Sequence, residues 1–229
     1  DVSAWRSLLG EWNGVEGITV TADTALEVPA VWCAVNFISS TIASLPLQVF
    51  QKTDKGRDTA EKDPLYYILH DAPNAEWTSF AWRKHLMTST LLHGRGLSFV
   101  ERNKAGRIMN IWPLDPTKCV IKRTDGRKLY EYTDGTRKVT YLANEILDIP
   151  FMLCADGVSH IDPVEKNRGT IALCLALQSY AQKFFANGGV PPLALYGPMK
   201  SPASPARASG DITGAIRDAN SERRNVLIM

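Results

Sequence analysis

This chain of 229 residues lacks most of the features that announce chemistry. Its four cysteines, Cys33, Cys119, Cys154 and Cys174, stand far apart, and no CxxC spacing joins any two. Zinc sites and redox dithiols draw their thiols from short spacings, so neither is indicated. The expectation is four reduced, buried thiols of a protein made in a reducing compartment. Long apolar runs are missing too. The longest clean one, Ile171–Leu177, falls far short of the ~20 residues of a membrane-spanning helix. Asp1–Gly10 has neither the basic start nor the apolar stretch of a signal peptide. Charge of one sign is also absent. With 26 basic and 24 acidic residues the net charge is +2, unlike a protein that coats nucleic acid by neutralising phosphate in bulk.

Catalytic signatures are equally scarce. There is no GxxxxGK(S/T) loop, and no GxGxxG lies between a strand and a helix. Gly94-Arg95-Gly96 comes nearest, but it follows a helical pattern and precedes a strand, the reverse of a phosphate cradle. The histidines, His70, His85, His93 and His160, form no HExxH or HxH pair, and those on a helix read as half-exposed surface residues. No GxSxG elbow occurs, and His93-Gly94, which could imitate an oxyanion dipeptide, has no elbow to serve. Asp148 and Asp156 read as a strand-end and a loop aspartate present for turn geometry. No cofactor, no metal and no enzymatic activity is expected.

What is present is an ordinary globular balance, 45% hydrophobic and 22% charged. The opening stretch to about Ala25 is rich in Gly and Thr and reads as non-helical. Apolar residues at 28, 31, 35, 38 and 42 then mark one face of a helix, with Pro29 in its first turn and Ser44-Leu45-Pro46 ending it. Leu47–Phe50 alternates as a strand before the turn Asp54–Arg57. Pro64–His70 predicts a short helix. Thr78–Leu92 predicts an amphipathic one capped by Thr78, with Phe80, Trp82, Leu86 and Leu91 among its apolar positions and Gly94 and Gly96 stopping it. From Leu97 to Ile149 the period falls to two. Six short strands, at 98–102, 108–112, 120–123, 130–133, 139–142 and 146–149, are separated by turn signals such as Asp125-Gly126 and Asp134-Gly135. Helices followed by an antiparallel sheet of hairpins predict an α+β fold.

Asp162-Pro163-Val164-Glu165 opens the most informative segment. Asp162 is placed as the cap, Pro163 as the first helical residue and Glu165 to reach back to the cap N–H. One helix is predicted to about Ala186, closed by Asn187-Gly188-Gly189, a rod of about 36 Å. Its middle, Thr170–Ala181, is apolar on nearly every face, whereas a surface helix keeps a polar stripe. It is either the central helix of a single-chain core or a rod gripped by other subunits. The six tryptophans are likewise open between core and interface. Beyond lie a strand at 193–196, a loop rich in Ser, Pro, Ala and Arg at about 199–224, and an apolar end, Val226–Met229. Without an initiator Met, and with a final strand that has no turn after it, the chain is expected to be a piece of a longer one.

Several stretches, in order, resemble the HK97-type portal family of tailed bacteriophages. They are Gly17–Thr21 leading into Val28–Ile38, Ile42–Phe50, Asp63–Leu69 followed by Ala72-Pro73-Asn74, Leu91–Gly94, Ile111–Pro116, Glu145–Ile149 and Phe184–Pro191. Together they cover roughly residues 17 to 196. Two departures stand out. Arg95-Gly96-Leu97-Ser98 replaces the Asn and aromatic that usually follow Gly94, and Gly157–Pro163 replaces a short Gly-Ser-Pro link.

The resemblance implies a structural subunit of a ring, usually of twelve copies, at one capsid vertex of the virion. Double-stranded DNA is packaged and ejected through such a ring. It docks the terminase large subunit and later the head–tail adaptor, it sits in capsid protein, it is assembled in the host cytoplasm, and no membrane is involved. It implies an N-terminal arm (1–25), a portal-type wing of helices plus antiparallel sheet (26–160), a long stem helix (161–188) and the start of a small α/β clip (189–229). On the stem, Glu165, Arg168, Gln178, Gln182 and Lys183 become candidates for lining the channel or bridging subunits, with plain solvent exposure as the other reading. Ile171, Leu173, Leu175, Leu177, Tyr180 and Phe184 become candidates for packing against sister chains. The rival expectation is a small enzyme or nucleic-acid-processing domain whose active site no motif reveals.

Overall fold

A short helix begins where the sequence pattern suggested none. In the structure, a computed structural model that describes residues 18–54 and 56–186 together with Gly210 and Gly214, α1 spans Ala22–Leu26. Thr21 Oγ1 accepts the Thr24 N–H at 3.2 Å, and Thr24 Oγ1 accepts the Thr21 N–H at 2.8 Å. Two threonines thus make the reciprocal cap that Ser/Thr with Glu/Gln usually makes, which is why it was not legible.

α2 (Pro29–Ser44) starts on proline as expected, yet its covered side is narrow: Val28 just before it, then Ser39 and Ala43. These small residues bring it against α4 (Ser79–His93). Lys84 Nζ donates to Asn36 Oδ1 at 2.9 Å, and the Arg83 guanidinium donates to the Leu45 carbonyl. Ile38 and Ile42, on the predicted apolar face, remain exposed. The strand expected at 47–50 starts at its last residue. β1 (Phe50–Thr53) and β2 (Gly56–Thr59) form an isolated hairpin. α3 (Pro64–His70) matches its prediction, and Thr78 caps α4 by accepting the Ala81 N–H at 3.2 Å. Between them Asn74, buried, donates to the Ile111 carbonyl at 2.7 Å while its Oδ1 accepts from Glu76 and Trp77. The turn is thereby tied to the sheet. Trp82 is buried with Ile68, Leu86 and Ile111, as the core reading expects, whereas Trp32 is exposed.

The expected run of hairpins is two sheets. β3 (Arg95–Arg102), β4 (Ile108–Leu114) and β8 (Ile146–Pro150) pair in the order β4-β3-β8. β5 (Cys119–Thr124), β6 (Arg127–Asp134) and β7 (Arg137–Leu142) form the second, and every pairing is antiparallel. The meander is broken because β8 returns to β3, setting Leu97 opposite Asp148. Leu97, Tyr130 and Ile146 pack as the apolar seam between the sheets.

A polar cluster crosses the same seam, and it corrects the reading of Asp148 as a turn residue. Its Oδ2 accepts from Lys128 Nζ and from the Tyr130 hydroxyl, each at 2.6 Å, and its Oδ1 lies 3.4 Å from Arg95 Nε. The side chains of Arg95 and Asp148 are 2% and 10% exposed. Arg95 Nη2 also donates to the Val158 carbonyl at 2.7 Å. Burial, with the bond to Asp148 behind it, pushes the Tyr130 phenol well above its usual range. The flanking glycines permit the approach. Gly94 holds φ +70°, and a Cβ on Gly96 would lie 2.6 Å from the Leu86 carbonyl oxygen.

The predicted 24-residue rod is two pieces, α5 (Pro163–Lys166) and α6 (Arg168–Ala186). Asn167 leaves helical geometry at φ −106°, ψ 13°, and its side-chain amide donates to the Pro163 carbonyl at 2.8 Å. A short polar side chain that can bond its own backbone offers the chain this alternative. The cap also differs. Asp162 accepts the Val164 and Glu165 N–H groups as expected, but the Glu165 carboxylate turns to Arg168 instead of reaching back. The chain divides into two compact units, one up to Ala172 and one from Leu173. The arm before residue 18, the Asn187–Gly189 closure and the strand at 193–196 lie outside the described residues, as do the loop after it and the clip except for Gly210 and Gly214, which are helical where a loop was expected.

Asp148→Asn leaves Arg95 and Lys128 without their counter-charge, and urea unfolding should show a loss of about 3–5 kcal/mol. Tyr130→Phe removes one hydrogen bond to a charged acceptor and should cost about 1.5–3 kcal/mol in the same assay.

Candidate assembly site

Along α6, Leu173, Leu177, Tyr180 and Phe184 recur at intervals of four, three and four, so they share one stripe of the helix. The first three are 43%, 58% and 64% exposed, and Phe184 is half-buried. The Tyr180 and Phe184 rings stack at 6.2 Å between centroids, and exposed Phe185 meets Phe184 edge-on at 5.4 Å. Such a 4-3-4 stripe is the pattern of a seam between packed helices. Each Leu or Phe that became fully covered would contribute about 1.5–3 kcal/mol. Ile171, at 6% exposed, has almost no surface left to offer a neighbour, and Leu175 is half-buried. Of the six apolar candidates, then, four make the stripe.

The polar candidates do not converge. Glu165 and Arg168 pair with each other at 2.8 Å, and both are exposed. Gln178 is half-buried, while Gln182 and Lys183 are exposed.

The unit up to Ala172 also holds a cavity of about 450 Å³, whose wall includes His93, Arg95, Cys119, His160 and Asp162. Several of its reactive groups are tied into the fold or held neutral, while Arg95 Nε and Nη1 are buried without a hydrogen-bond partner. Burial pushes the Cys119 thiol up to about 11, so at neutral pH it is not a thiolate. His160 Nε2 lies 2.9 Å from the His93 carbonyl, and the Asp162 carboxylate caps α5. Asp156, nearby in sequence, accepts from Val158 N–H, Ser159 N–H and Ser159 Oγ, as a turn aspartate should. Among the described residues no group of three or more His, Cys, Asp or Glu is placed to hold a metal ion, and no helix is long and apolar enough to cross a membrane. All four cysteines are free, as expected, but none is buried, and Cys33 is exposed.

The model of the family described as phage portal protein matches residues 29–229. The chain belongs to the phage portal protein family. It is 34% identical to a probable portal protein of Streptomyces phage phiC31, over 76% of this chain and 40% of that protein. It is 24% identical to the portal protein of Enterobacteria phage HK97, over 76% of this chain and 41% of that one. The chain thus spans about two-fifths of the curated portal proteins it matches. Among solved structures, the neck of an empty gene transfer agent particle, computed with C6 symmetry, matches with a TM-score of 0.62 at 16% identity, covering 90% of this chain and 58% of that one. An HK97-family phage portal protein from Corynebacterium diphtheriae matches with a TM-score of 0.54 at 19% identity, covering 90% and 63%. The mixed helical and antiparallel-sheet fold is therefore a portal fold. The departure at Arg95-Gly96 has a physical role here: it supplies the buried partner of Asp148 and the close approach to α4.

Leu177→Glu alters an exposed position, so thermal unfolding of the monomer should shift by no more than about 0.5 kcal/mol in stability. The three hydrogen bonds to Asp156 hold its carboxyl down at about 2. A depressed carboxyl pKa stabilises the loop above about 4, and that contribution fades as pH falls toward 2. The Ser159 amide resonance should accordingly titrate near pH 2, and a midpoint near 4 would show that the bonds do not form.

Proposed function

We propose that this chain is part of a structural portal subunit. In this reading the subunit forms the ring, of twelve copies, at a capsid vertex, through which double-stranded DNA is packaged and ejected without sequence-specific contacts. The ring docks the terminase large subunit and later the head–tail adaptor, contacts capsid protein, resides in the virion and is assembled in the host cytoplasm. The single observation that supports it most is the exposed stripe of α6 in a chain of this family, an apolar face that calls for a cover. Matches to necks of gene transfer agent particles, computed with C6 and C12 symmetry, add to it. So does the near-neutral net charge of +2, because a channel that bound phosphate tightly would retard the DNA it must pass.

Residues 26–160 serve as the wing, 161–188 as the stem and 189–229 as the beginning of the clip. Leu173, Leu177, Tyr180 and Phe184 meet sister chains. Glu165, Arg168, Gln178, Gln182 and Lys183 line the channel or bridge neighbours. The subunit has no catalytic role; Cys119 held as a thiol and His160 and Asp162 bonded to the backbone weigh against the rival enzyme reading.

Light scattering across a concentration series tests the reading. Leu173→Glu should weaken association at least tenfold while circular dichroism of the chain stays unchanged. If the substitution unfolds the monomer instead, α6 is an internal core helix and the reading fails.

A further inference from the structure

The cavity of about 450 Å³ holds a cation whose bonding is incomplete. Arg95 forms part of its wall, and that side chain is only 2% exposed. A guanidinium carries five N–H groups in a fixed fork. Arg95 Nη2 donates to the Val158 carbonyl at 2.7 Å, while Nε merely faces Asp148 Oδ1 at 3.4 Å. Nε and Nη1 are both buried with no hydrogen-bond partner. Leaving the donors of a buried charge unbonded is costly, so such a group favours any acceptor that reaches it.

The surrounding charge points to an anion. In the buried cluster a single carboxylate, Asp148, faces two cations, Arg95 and Lys128. Tyr130 and Cys119 beside them stay protonated at neutral pH, because burial pushes both groups up. The cluster therefore carries one positive charge in excess. Asp162, the carboxylate in the cavity wall, already accepts two backbone N–H groups at the start of α5. The two stretches that depart from the portal pattern, 95–98 and 157–163, also meet here. Arg95 and Leu97 come from the first, and Val158, Ser159, His160 and Asp162 from the second.

We propose that this cavity binds a small oxyanion, a carboxylate or a phosphate, on the Nη1 side of Arg95. The end of a guanidinium presents two parallel N–H groups, one from each Nη, which match two oxygens of either anion. Arg95 lies too deep for the phosphates of a polymer to reach, so the ligand is a free small ion. The loop at 154–159, whose Val158 carbonyl holds Nη2, is exposed at Ala155, Asp156 and Ser159, and it gives way for the ligand to reach Nη1. Once bound, the anion ties the segment leading into α5 to the seam between the two sheets. Nothing in this site requires the ring.

The test follows the Arg95 side-chain Nε–H and the Val158 and His160 amides by NMR. The chain in sodium chloride at neutral pH is titrated with sodium phosphate and, in a separate series, with sodium acetate, at constant ionic strength. These resonances should shift and saturate in at least one series, and the series that saturates names the ligand class. Arg95→Lys keeps a charge opposite Asp148 but loses the fork, and should weaken binding about tenfold. Should that variant fail to fold, Ser159→Trp, which puts a bulky ring in the wall and leaves Arg95 and Asp148 in place, should abolish the shifts. Shifts that are absent or stay linear in both series overturn the site. So does saturation with unchanged affinity in either variant, because the anion would then sit elsewhere.

Discussion

The unit up to Ala172 depends on one buried carboxylate. Asp148 sits on β8, pairs across the strand with Leu97, and answers three groups at once: Arg95 from β3, Lys128 and Tyr130 from β6. Two sheets that share no backbone pairing are joined there by charge, with the Leu97–Tyr130–Ile146 seam alongside. A buried ion cluster of this kind adds little net stability over an apolar replacement, but removing one member leaves an uncompensated charge. It also admits only one register. Sliding β8 by one residue would carry Asp148 to the opposite face and leave Arg95 alone. The requirement reaches outward to Gly96, whose missing side chain lets β3 lie close under α4, and to Gly94, whose missing side chain leaves room for His160–Asp162.

The outer surfaces follow a different logic. Among the described residues, the stripe on α6 and the flank of α2 are both apolar and exposed. Inside the unit up to Ala172, Trp82 Nε1 donates to Ser98 Oγ at 3.0 Å and Asn74 bonds three backbone groups, whereas Arg95 Nε and Nη1 and Asp148 Oδ1 are buried without a hydrogen-bond partner. Leu177, Tyr180, Ile42 and Leu45 stay exposed, which is compatible with the ring assembly proposed above.

Local signals were legible where the residue types are those that usually make them. Pro64, Asp63 and Thr78 begin helices for steric and capping reasons that need no tertiary contact, and the Gly-containing turns separating the strands are of the same kind. The 4-3-4 spacing of Leu173, Leu177, Tyr180 and Phe184 was there to be read, although the surrounding small apolar residues blurred it into a helix greasy on every side. The break at Asn167 was not legible, because the same residue continues a helix equally well when its side chain points to solvent. Asp148 looked like a turn aspartate because its three partners lie 18 to 53 positions away in sequence, two of them on another sheet.

By itself the sequence determined the order and type of most elements (α1, the β1–β2 hairpin and the break at Asn167 excepted), the absence of any recognised catalytic or nucleotide motif, and the family, since each of these rests on neighbours a few residues apart or on an ordered series of short stretches. Only the tertiary structure decided that β8 leaves the meander for β3, that Arg95 and Asp148 are one buried unit, and which half of the α2 face is covered. Those outcomes depend on which distant groups share a volume from which water is excluded, and periodicity along a chain carries no record of that.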